Sequence, residues 1–458
     1  MAAINIISVS ETQTEGRYDA EFFHPKYNHL DSVLESIESD KLNILSNFIK
    51  KGIFDISPKK YRESGVPLIR TTQIKTPITN KDNLIFIEEQ EHIKNHSKTE
   101  LTAGDIVFTK IGAGIGDVAI LSKEFDIYNF SQNVAGISIR KEKIDPYYLL
   151  AFLISENGKE QILRFMMPSG QGKLELKDIK KIKIFRNYFE KEIAQLIKNS
   201  ESLIIQSQTL YTQATQLIEQ ELGLDKISFE KPRSYTTRFS EVINGKRADG
   251  EFYNPELRSY YNHFSNVVKM ELKPLTQFTK VLKFSNPDYA NVGIPIITQK
   301  HLTNISPEGY SGFPIASEEW VNKNPTAVVR ENDLLFYSVG AYLGKTNIWF
   351  NDDKAVHASF ITMLRSDSKY DAGYLMVLLN SKFGILQSKV FQSGSSQPYI
   401  YPKDIRQFLV PEVNESLKKE LYELIRSSYD AKIESQRLLE QAKTRVEELI
   451  EQSIEANA

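Results

Sequence analysis

The 458-residue sequence contains no cysteine. This absence excludes disulfide bonds, zinc sites with thiolate ligands, iron–sulfur ligation and cysteine nucleophiles. No apolar run approaches the length of about 18 residues that a membrane-spanning helix needs, so we expect none. The first residues also lack the basic and apolar segments of a secretory signal peptide. We therefore expect a cytoplasmic protein.

Basic and acidic residues are almost equal in number. The sequence has 57 Lys and Arg residues and 59 Asp and Glu residues, which gives a formal net charge of −2. The chain therefore has no overall positive field, and any binding to nucleic acid must use local basic patches. Its 41% of hydrophobic residues excludes a disordered chain. Its length favours two or more domains.

The second half of the sequence repeats the first at a shift of about 228 residues. Gly65-Val66-Pro67-Leu68-Ile69 recurs as Gly293-Ile294-Pro295-Ile296-Ile297. Further pairs follow in the same order, and they match 17–25 with 247–255, 104–116 with 332–344, 148–150 with 374–376, 169–170 with 393–394, and 177–179 with 403–405. An ordered series of this kind indicates duplication followed by divergence.

Each copy has the same predicted order of elements. A short helix opens it, over 31–39 in the first copy and 256–270 in the second. Short apolar runs with Gly, Pro or Asn between them then predict strands, which in the first copy are 66–69, 84–87, 105–109, 118–121 and 134–139. A helix follows Asp145 and Pro146, and its counterpart begins near Asp371. A last strand, 182–185 or 407–410, precedes a long stretch with almost no Gly or Pro.

The two long stretches, 189–222 and 415–454, carry heptad patterns. In the first, one column is formed by Leu196, Leu203, Leu210 and Leu217, and another by Ile193, Ser200, Ser207 and Ala214. The second stretch repeats the latter column as Leu421, Ser428, Ser435 and Ala442. Small residues at matching positions let two helix backbones approach closely, so we predict that these helices pack on each other. The alternative is that each amphipathic helix lies on the core of its own domain.

These patterns predict an α+β protein. Two mixed α/β domains, related by a pseudo-twofold axis, are separated by two long antiparallel coiled-coil helices. The predicted boundaries are a first domain at 1–187, a central spacer helix at 188–223, a second domain at 224–413 and a C-terminal spacer helix at 414–458.

The ordered motifs resemble those of a known family. They are residues 65–70, the segment 104–116, Ser169-Gly170, and Lys177-Asp178-Ile179 before a long helix, and all recur in the second copy. This set resembles the specificity subunit of type I restriction–modification systems over nearly the whole chain. The resemblance implies two target recognition domains, each recognising one half of a split DNA site, and helices that act as a spacer and a dock. Gln132 and Asn133 do not map onto the family pattern, so no family role is assigned to them.

The resemblance also implies partners and an absence of catalysis. The expected partners are double-stranded DNA, two methyltransferase (modification) subunits and, in some complexes, restriction or translocase subunits. The chain is then a non-catalytic subunit of a restriction–modification enzyme complex that acts in phage defence. We expect no cofactor in this chain, and S-adenosylmethionine, ATP and Mg on the partner subunits.

The glycine-rich segments and a histidine pair do not predict catalytic or metal sites. Segment 112–116 lacks the dinucleotide-binding pattern, and 340–346 has one residue too few between its glycines for a phosphate loop. We interpret both as turns between strands. His92 and His96 stand four apart without the glutamate of a zinc protease, so we expect them on a surface helix.

Contacts with DNA need Lys or Arg for phosphates and polar side chains on loops for base edges. The loops of the first copy offer Lys59, Lys60, Arg62, Arg70, Thr71, Thr72, Gln73, Lys110, Gln171 and Lys173. The matching loops of the second copy offer Thr298, Gln299, Lys300, His301, Ser338, Tyr342, Lys345, Ser395, Ser396 and Gln397. The positions agree while the side chains differ, as expected for domains that recognise different half-sites.

Two other functions remain open from the sequence. One is a duplicated coiled-coil scaffold that binds proteins without recognising a DNA sequence. The other is an enzyme whose motif is not apparent. Acidic residues concentrate partly on the long helices, so basic patches on the domains can be hidden in the net charge. We accordingly expect modest DNA affinity for the chain alone.

Overall fold

The computed structural model describes residues 5–53, 56–79, 84–112, 114–166, 172–227, 229, 232–302, 305–306, 312–394 and 396–457. The chain divides into two compact units. Unit 1 comprises Met1–Ile204 and Glu434–Ala458, and unit 2 comprises Ile205–Ile433. Within the described residues, no helix combines the length and apolar character needed to span a membrane.

Among its described residues, unit 1 has three sheets with helices around them. Its helices are α1 (Val9–Glu15), α2 (Lys26–Ser36), α3 (Glu89–Glu91), α4 (Pro146–Ile154), α5 (Glu156–Phe165), α6 (Leu176–Ile179) and the first part of α7 (Glu190–Glu221). Its strands are β1 (Ser39–Lys41), β2 (Ser46–Lys51), β3 (Tyr61–Arg62), β4 (Val66–Ile69), β5 (Ile85–Ile87), β6 (Leu101–Thr102), β7 (Ile106–Thr109), β8 (Val118–Ile120), β9 (Ile127–Phe130), β10 (Val134–Ile139) and β11 (Lys183–Phe185). The sheets have the strand orders β3-β5-β4-β9-β6, β2-β10-β7-β8 and β1-β11.

Unit 2 repeats much of this plan. Its helices are α8 (Phe239–Gly245), α9 (Pro255–Asn262), α10 (Glu318–Lys323), α11 (Lys369–Asn380), α12 (Lys382–Phe391), α13 (Pro402–Ile405) and the first part of α14 (Glu415–Asn457). Its strands are β12 (Leu272–Pro274), β13 (Lys280–Leu282), β14 (Tyr289–Ala290), β15 (Ile294–Ile297), β16 (Ile315–Ala316), β17 (Leu334–Tyr337), β18 (Thr346–Ile348), β19 (Val356–His357), β20 (Ile361–Arg365) and β21 (Leu409–Pro411). The sheets have the orders β13-β20-β17-β18, β14-β16-β15-β19 and β12-β21.

The predicted helix after Asp145 shows why these elements form where they do. The Asp145 side chain accepts a hydrogen bond from the Tyr147 N–H, and Pro146 occupies the first turn of α4. Every residue of α4 is buried, since the helix lies within the core of unit 1. In unit 2, Ser368 caps α11, which begins at Lys369 and so confirms the predicted helix near Asp371.

The sequence repeat is confirmed as a structural duplication. In unit 1 the Gln161 side chain donates to the Lys183 carbonyl (2.9 Å) and accepts from the Lys183 N–H (2.8 Å). In unit 2, Gln387 makes the same pair of bonds to Leu409, at 3.1 and 2.8 Å. Each glutamine thereby ties a core helix to the last strand of its unit.

The long helices pack on each other, as the heptad columns predict. In unit 1, Ser200 of α7 and Ser435 of α14 are buried with their Oγ atoms 2.7 Å apart, and the Ser435 hydroxyl lies 2.9 Å from the Ser200 carbonyl. In unit 2, each hydroxyl of Ser207 and Ser428 bonds to the carbonyl of the other residue, at 2.7 and 2.6 Å. Within unit 1, Glu192 of α7 lies 3.9 Å from Arg445 of α14, whereas Ser200 meets Ser435, so the two helices run antiparallel there.

The opening helix and the histidine pair differ from their predictions. Helix α2 spans Lys26–Ser36 rather than 31–39, because Pro25 starts it earlier and Ser39 already belongs to β1. His92 is buried rather than on a surface: its Nε2 lies 2.9 Å from a Glu100 carboxylate oxygen and its Nδ1 lies 3.2 Å from the Asn129 amide. Both ring nitrogens of His92 therefore have polar partners inside the unit.

Candidate nucleic-acid interface

The glycine segments of both units are turns between antiparallel strands, as predicted. In unit 1 the turn joins β7 to β8, and in unit 2 it joins β17 to β18. Gly340 and Gly344 have φ values of 101° and 89°, a left-handed backbone that favours glycine. Phosphate-loop and dinucleotide-loop interpretations are thereby excluded for these segments.

In unit 2, two other segments lie against the glycine turn. The Ser338 N–H donates to the Phe360 carbonyl (3.1 Å), and the Ile400 N–H donates to the Ser338 carbonyl (2.9 Å). The Gly340 N–H donates to the Pro398 carbonyl at 2.8 Å. These main-chain bonds gather residues that are far apart in the sequence.

The predicted segment Thr298–His301 joins this site through Gln299. The Gln299 amide donates to the carbonyl of Val339 in the glycine turn, at 2.9 Å. His301 Nδ1 accepts from the Thr298 N–H (3.0 Å), and its ring stacks on Phe313 with the ring centroids 3.5 Å apart. Burial lowers the pKa of His301 to about 4, and the nearby positive charge of Lys300 acts in the same direction. This ring is neutral at physiological pH.

Lys283 belongs to the site, although no sequence motif predicts it. Its ammonium donates to the Ser338 hydroxyl (2.9 Å), the Ile361 carbonyl (3.2 Å) and the Thr362 hydroxyl (3.4 Å). Burial of the ammonium lowers the pKa of Lys283 to about 8. Ser338 is itself buried and donates to the Phe360 carbonyl at 2.9 Å, so it fixes the turn from inside. The partners of Lys283 are distant in the sequence, so no local sequence pattern predicts its position in the site.

Tyr342, Lys345, Ser396 and Gln397 lie at or beside the same turn. Tyr342, Ser396 and Gln397 are exposed, whereas Lys345 is half-buried with its ammonium 5.9 Å from the centre of the Tyr342 ring. Lys300 is exposed on the 3₁₀ turn after β15. Ser395 lies outside the described residues. The structure thus brings the three predicted segments of the second copy to one region.

Unit 1 builds the equivalent region from Lys110. Its N–H donates to the Asn133 carbonyl (2.8 Å), and its carbonyl accepts from the Leu174 N–H (3.1 Å). Burial lowers the pKa of the Lys110 ammonium, and repulsion from Lys173 and Lys51 adds to this effect. Lys51 was not among the residues predicted to contact DNA. Gln171 lies outside the described residues.

The segment from Arg70 to Gln73 follows β4 and is partly structural. Gln73 is buried, and its side-chain oxygen accepts from the Arg70 N–H (3.1 Å) and the Thr72 hydroxyl (3.0 Å). Thr72 is exposed, whereas Arg70 and Thr71 are half-buried. Only part of this segment therefore faces solvent.

The third predicted group of unit 1 precedes and includes the edge strand β3. Lys59, Lys60 and Arg62 are exposed. The Lys60 ammonium lies 2.6 Å from a Glu91 carboxylate oxygen, and Arg62 lies 3.6 Å from Glu88. These carboxylates reduce the local positive charge. A phosphate group would have to compete with them for Lys60 and Arg62.

Within the described part of the chain, no group of three or more His, Asp or Glu side chains is placed to hold a metal ion. The arrangement can offer ammonium groups, hydroxyls, amides and aromatic rings to a ligand. Such groups serve binding to phosphates and bases.

The comparisons with known proteins agree with this chemistry. Residues 38–208 match the family model of the type I restriction modification DNA specificity domain. The matched segment contains all the candidate DNA-contacting residues of the first copy, from Lys59 to Lys173.

Solved structures of similar proteins cover most of the chain. It is similar to the S subunit of a Type-I restriction–modification system from M. genitalium, at 12% identity and a TM-score of 0.43, over 91% of this chain and 95% of that one. It is also similar to the HsdS subunit from Thermoanaerobacter tengcongensis, at 13% identity and a TM-score of 0.28, over 92% and 97% of the two chains. No curated protein matches the chain in sequence. The match to the specificity domain concerns residues 38–208.

Proposed function

We propose that this chain is the DNA-sequence specificity subunit of a type I restriction–modification complex, and that it recognises a bipartite double-stranded site. The segment that matches the specificity domain, residues 38–208, lies almost wholly in unit 1, and unit 2 repeats the framework with other side chains. The observation that carries the proposal is this repetition. Two domains that recognise different half-sites need the same backbone framework with different exposed side chains, and the two units have this arrangement.

In this proposal the chain performs no chemistry of its own. Exposed cations such as Lys59, Lys173 and Lys300 contact phosphates, while the polar and aromatic groups beside the glycine turns contact bases. Helices α7 and α14 set the gap between the half-sites and dock two methyltransferase subunits. S-adenosylmethionine, ATP and Mg act on these and on any restriction or translocase subunits. A role on DNA would put the chain in the cytoplasm.

The buried polar groups of the site have a positioning role. Ser338 and Gln73 are inside their units and hold the neighbouring loops through hydrogen bonds. Because such bonds fix where the exposed side chains stand, they determine which bases can be contacted. Loss of a single good base contact costs about 1–3 kcal/mol and relaxes one position of the site.

The experiment is to express the full chain with the methyltransferase subunits of its system and to sequence the methylated DNA. We expect one motif with two specified elements and a fixed unspecified gap. Methylation without such a motif, together with intact assembly of the subunits, would contradict the proposal and favour the protein-binding scaffold. Turnover by the purified chain alone would contradict its non-catalytic role.

A further inference from the structure

The two units present different side chains on equivalent backbone positions. The bonds Lys110 N–H to Asn133 carbonyl and Leu174 N–H to Lys110 carbonyl define the position in unit 1. The same bonds in unit 2 are Ser338 N–H to Phe360 carbonyl and Ile400 N–H to Ser338 carbonyl. Phe360 therefore stands where Asn133 stands, and the side chain of Phe360 is 47% exposed. A polar position of unit 1 is aromatic in unit 2.

The neighbouring strand-like segment shows the same change. A main-chain bridge joins Ile111 to Lys173 in unit 1 and Val339 to Tyr399 in unit 2. Two residues further along each chain stand Glu175 and Tyr401. Lys173 and Glu175 form an ion pair at 3.0 Å, whereas the rings of Tyr399 and Tyr401 pack edge to face with centroids 4.8 Å apart. Charged groups of unit 1 are replaced by tyrosines.

A further aromatic side chain stands on the glycine turn itself. Tyr342 of unit 2 is 69% exposed, and unit 1 has Gly114 at the matching sequence position. The Tyr342 ring contacts Tyr337 edge to face, with the centroids 6.2 Å apart. Phe360, Tyr342 and Tyr401 are exposed on backbone segments that meet at the glycine turn, and we call these three side chains the aromatic face of unit 2. Exposed apolar side chains grouped in this way are typical of a binding site.

The charges beside the aromatic face indicate the ligand. The ammonium of Lys345 lies 5.9 Å from the Tyr342 ring centre, and that of Lys403 lies 5.5 Å from the Tyr401 ring centre. Lysines interleaved with exposed rings suit a polyanion that carries flat apolar groups, which is a nucleic acid. Ser396 and Gln397 are exposed on the adjacent segment and add polar contacts.

We infer that unit 2 recognises its half-site in part through apolar contact of Tyr342 and Phe360 with bases, whereas unit 1, which has Gly114 and Asn133 at these positions, lacks such contacts there. The inference rests on the proposed function and names residues that determine specificity. The apolar surface of a base is available either as the methyl group of thymine or as the face of an unstacked base. The aromatic face fits both sources.

The test uses the full complex and the bipartite site found by sequencing. Tyr342→Ala and Phe360→Ala are the variants, and Asn133→Ala is the matched control in unit 1. The affinity for the natural duplex is compared with that for duplexes altered in one half-site. We expect each aromatic variant to lose about tenfold or more of its discrimination at one half-site and to keep it at the other. Asn133→Ala should affect the opposite half-site.

Two modified duplexes distinguish the sources. Uracil in place of thymine removes only the methyl group, so a penalty that is present in the wild type and absent in Tyr342→Ala or Phe360→Ala identifies a methyl contact. 2-Aminopurine in the half-site becomes more fluorescent when unstacked, so an increase that these variants abolish identifies contact with a base face. Either result supports the inference.

Unchanged discrimination in the aromatic variants would overturn the inference. If the wild type has a bipartite site and both aromatic variants discriminate its half-sites as the wild type does, the aromatic face has no role in recognition. If the wild type has no bipartite site, the proposed function itself fails. Both side chains are exposed, and circular dichroism of the variants checks that the fold is retained.

Discussion

At the scale of single residues, His357 links the stability of unit 2 to pH. The residue is buried in β19, and its Nδ1 lies 3.0 Å from the Ala358 carbonyl. Burial lowers the pKa of His357 to about 4 from an ordinary value of 6.5. The unfolded chain therefore gains a proton as pH falls through 6.5, while the folded chain stays neutral until about pH 4. The contribution of His357 to folding stability is therefore fully present above pH 6.5, and it is lost as the pH falls from 6.5 to about 4.

We predict that unfolding of the chain becomes easier by about 2 kcal/mol between pH 7 and pH 5 through this residue. The variant His357→Phe removes the titration, and phenylalanine already occupies the corresponding position of unit 1 as Phe130. Urea unfolding at both pH values measures the difference. An identical pH dependence in wild type and variant would contradict the assignment.

At the scale of elements, the turn between α4 and α5 depends on a close backbone approach. A Cβ atom added at Gly158 would lie 2.1 Å from the Phe152 carbonyl oxygen, and one at Gly384 in unit 2 would lie 2.4 Å from the Leu379 carbonyl oxygen. Both partners are backbone atoms within a packed core, so they cannot move aside cheaply.

We predict that Gly158→Ala destabilises the chain by about 1–3 kcal/mol, as overpacking of a core does. Lys159→Ala, on the exposed face of the same helix, should stay within about 0.5 kcal/mol of the wild type. Thermal unfolding monitored by circular dichroism compares the two. Equal midpoints of thermal unfolding for the two variants would contradict the prediction, because they would show that α4 and α5 can move apart without loss of stability.

The serine column of the long helices permits a second prediction at this scale. Ser200 is buried against Ser435, whereas Ser202 on the same helix is exposed. Ser200→Leu should therefore destabilise the chain by about 1–3 kcal/mol, because it forces the two backbones apart. Ser202→Leu is the matched control and should have little effect. Equal free energies of unfolding in urea for the two variants would contradict the close packing of the helices.

The elements that the sequence predicts are those with a local cause. The heptad columns of α7 and α14 repeat every seven residues, and the glycine turns need residues that tolerate a left-handed backbone, so both are visible in the sequence. The start of α2 at Lys26 was missed because Pro25 can begin a helix as well as end one. Lys283 and Lys51 were missed because their partners come from distant strands. The buried state of Gln73 and Ser338 likewise depends on tertiary packing.

At the scale of the whole molecule, the proposed function makes the long helices a ruler. We predict that seven residues inserted into both α7 and α14, within their heptad patterns, change the gap of the methylated motif and leave the bases of both half-sites unchanged. Sequencing of methylated DNA measures gap and half-sites together. Changed half-site bases would show that the helices influence recognition itself.

The central claim is that each unit recognises one half-site on its own. Its most direct test is to replace residues 1–187 by the corresponding region of another specificity subunit and to sequence the DNA methylated by the assembled complex. We predict a motif in which one half-site is new, while the other half-site and the gap are those of the wild type. A motif in which both half-sites change, or in which neither changes, would contradict the claim.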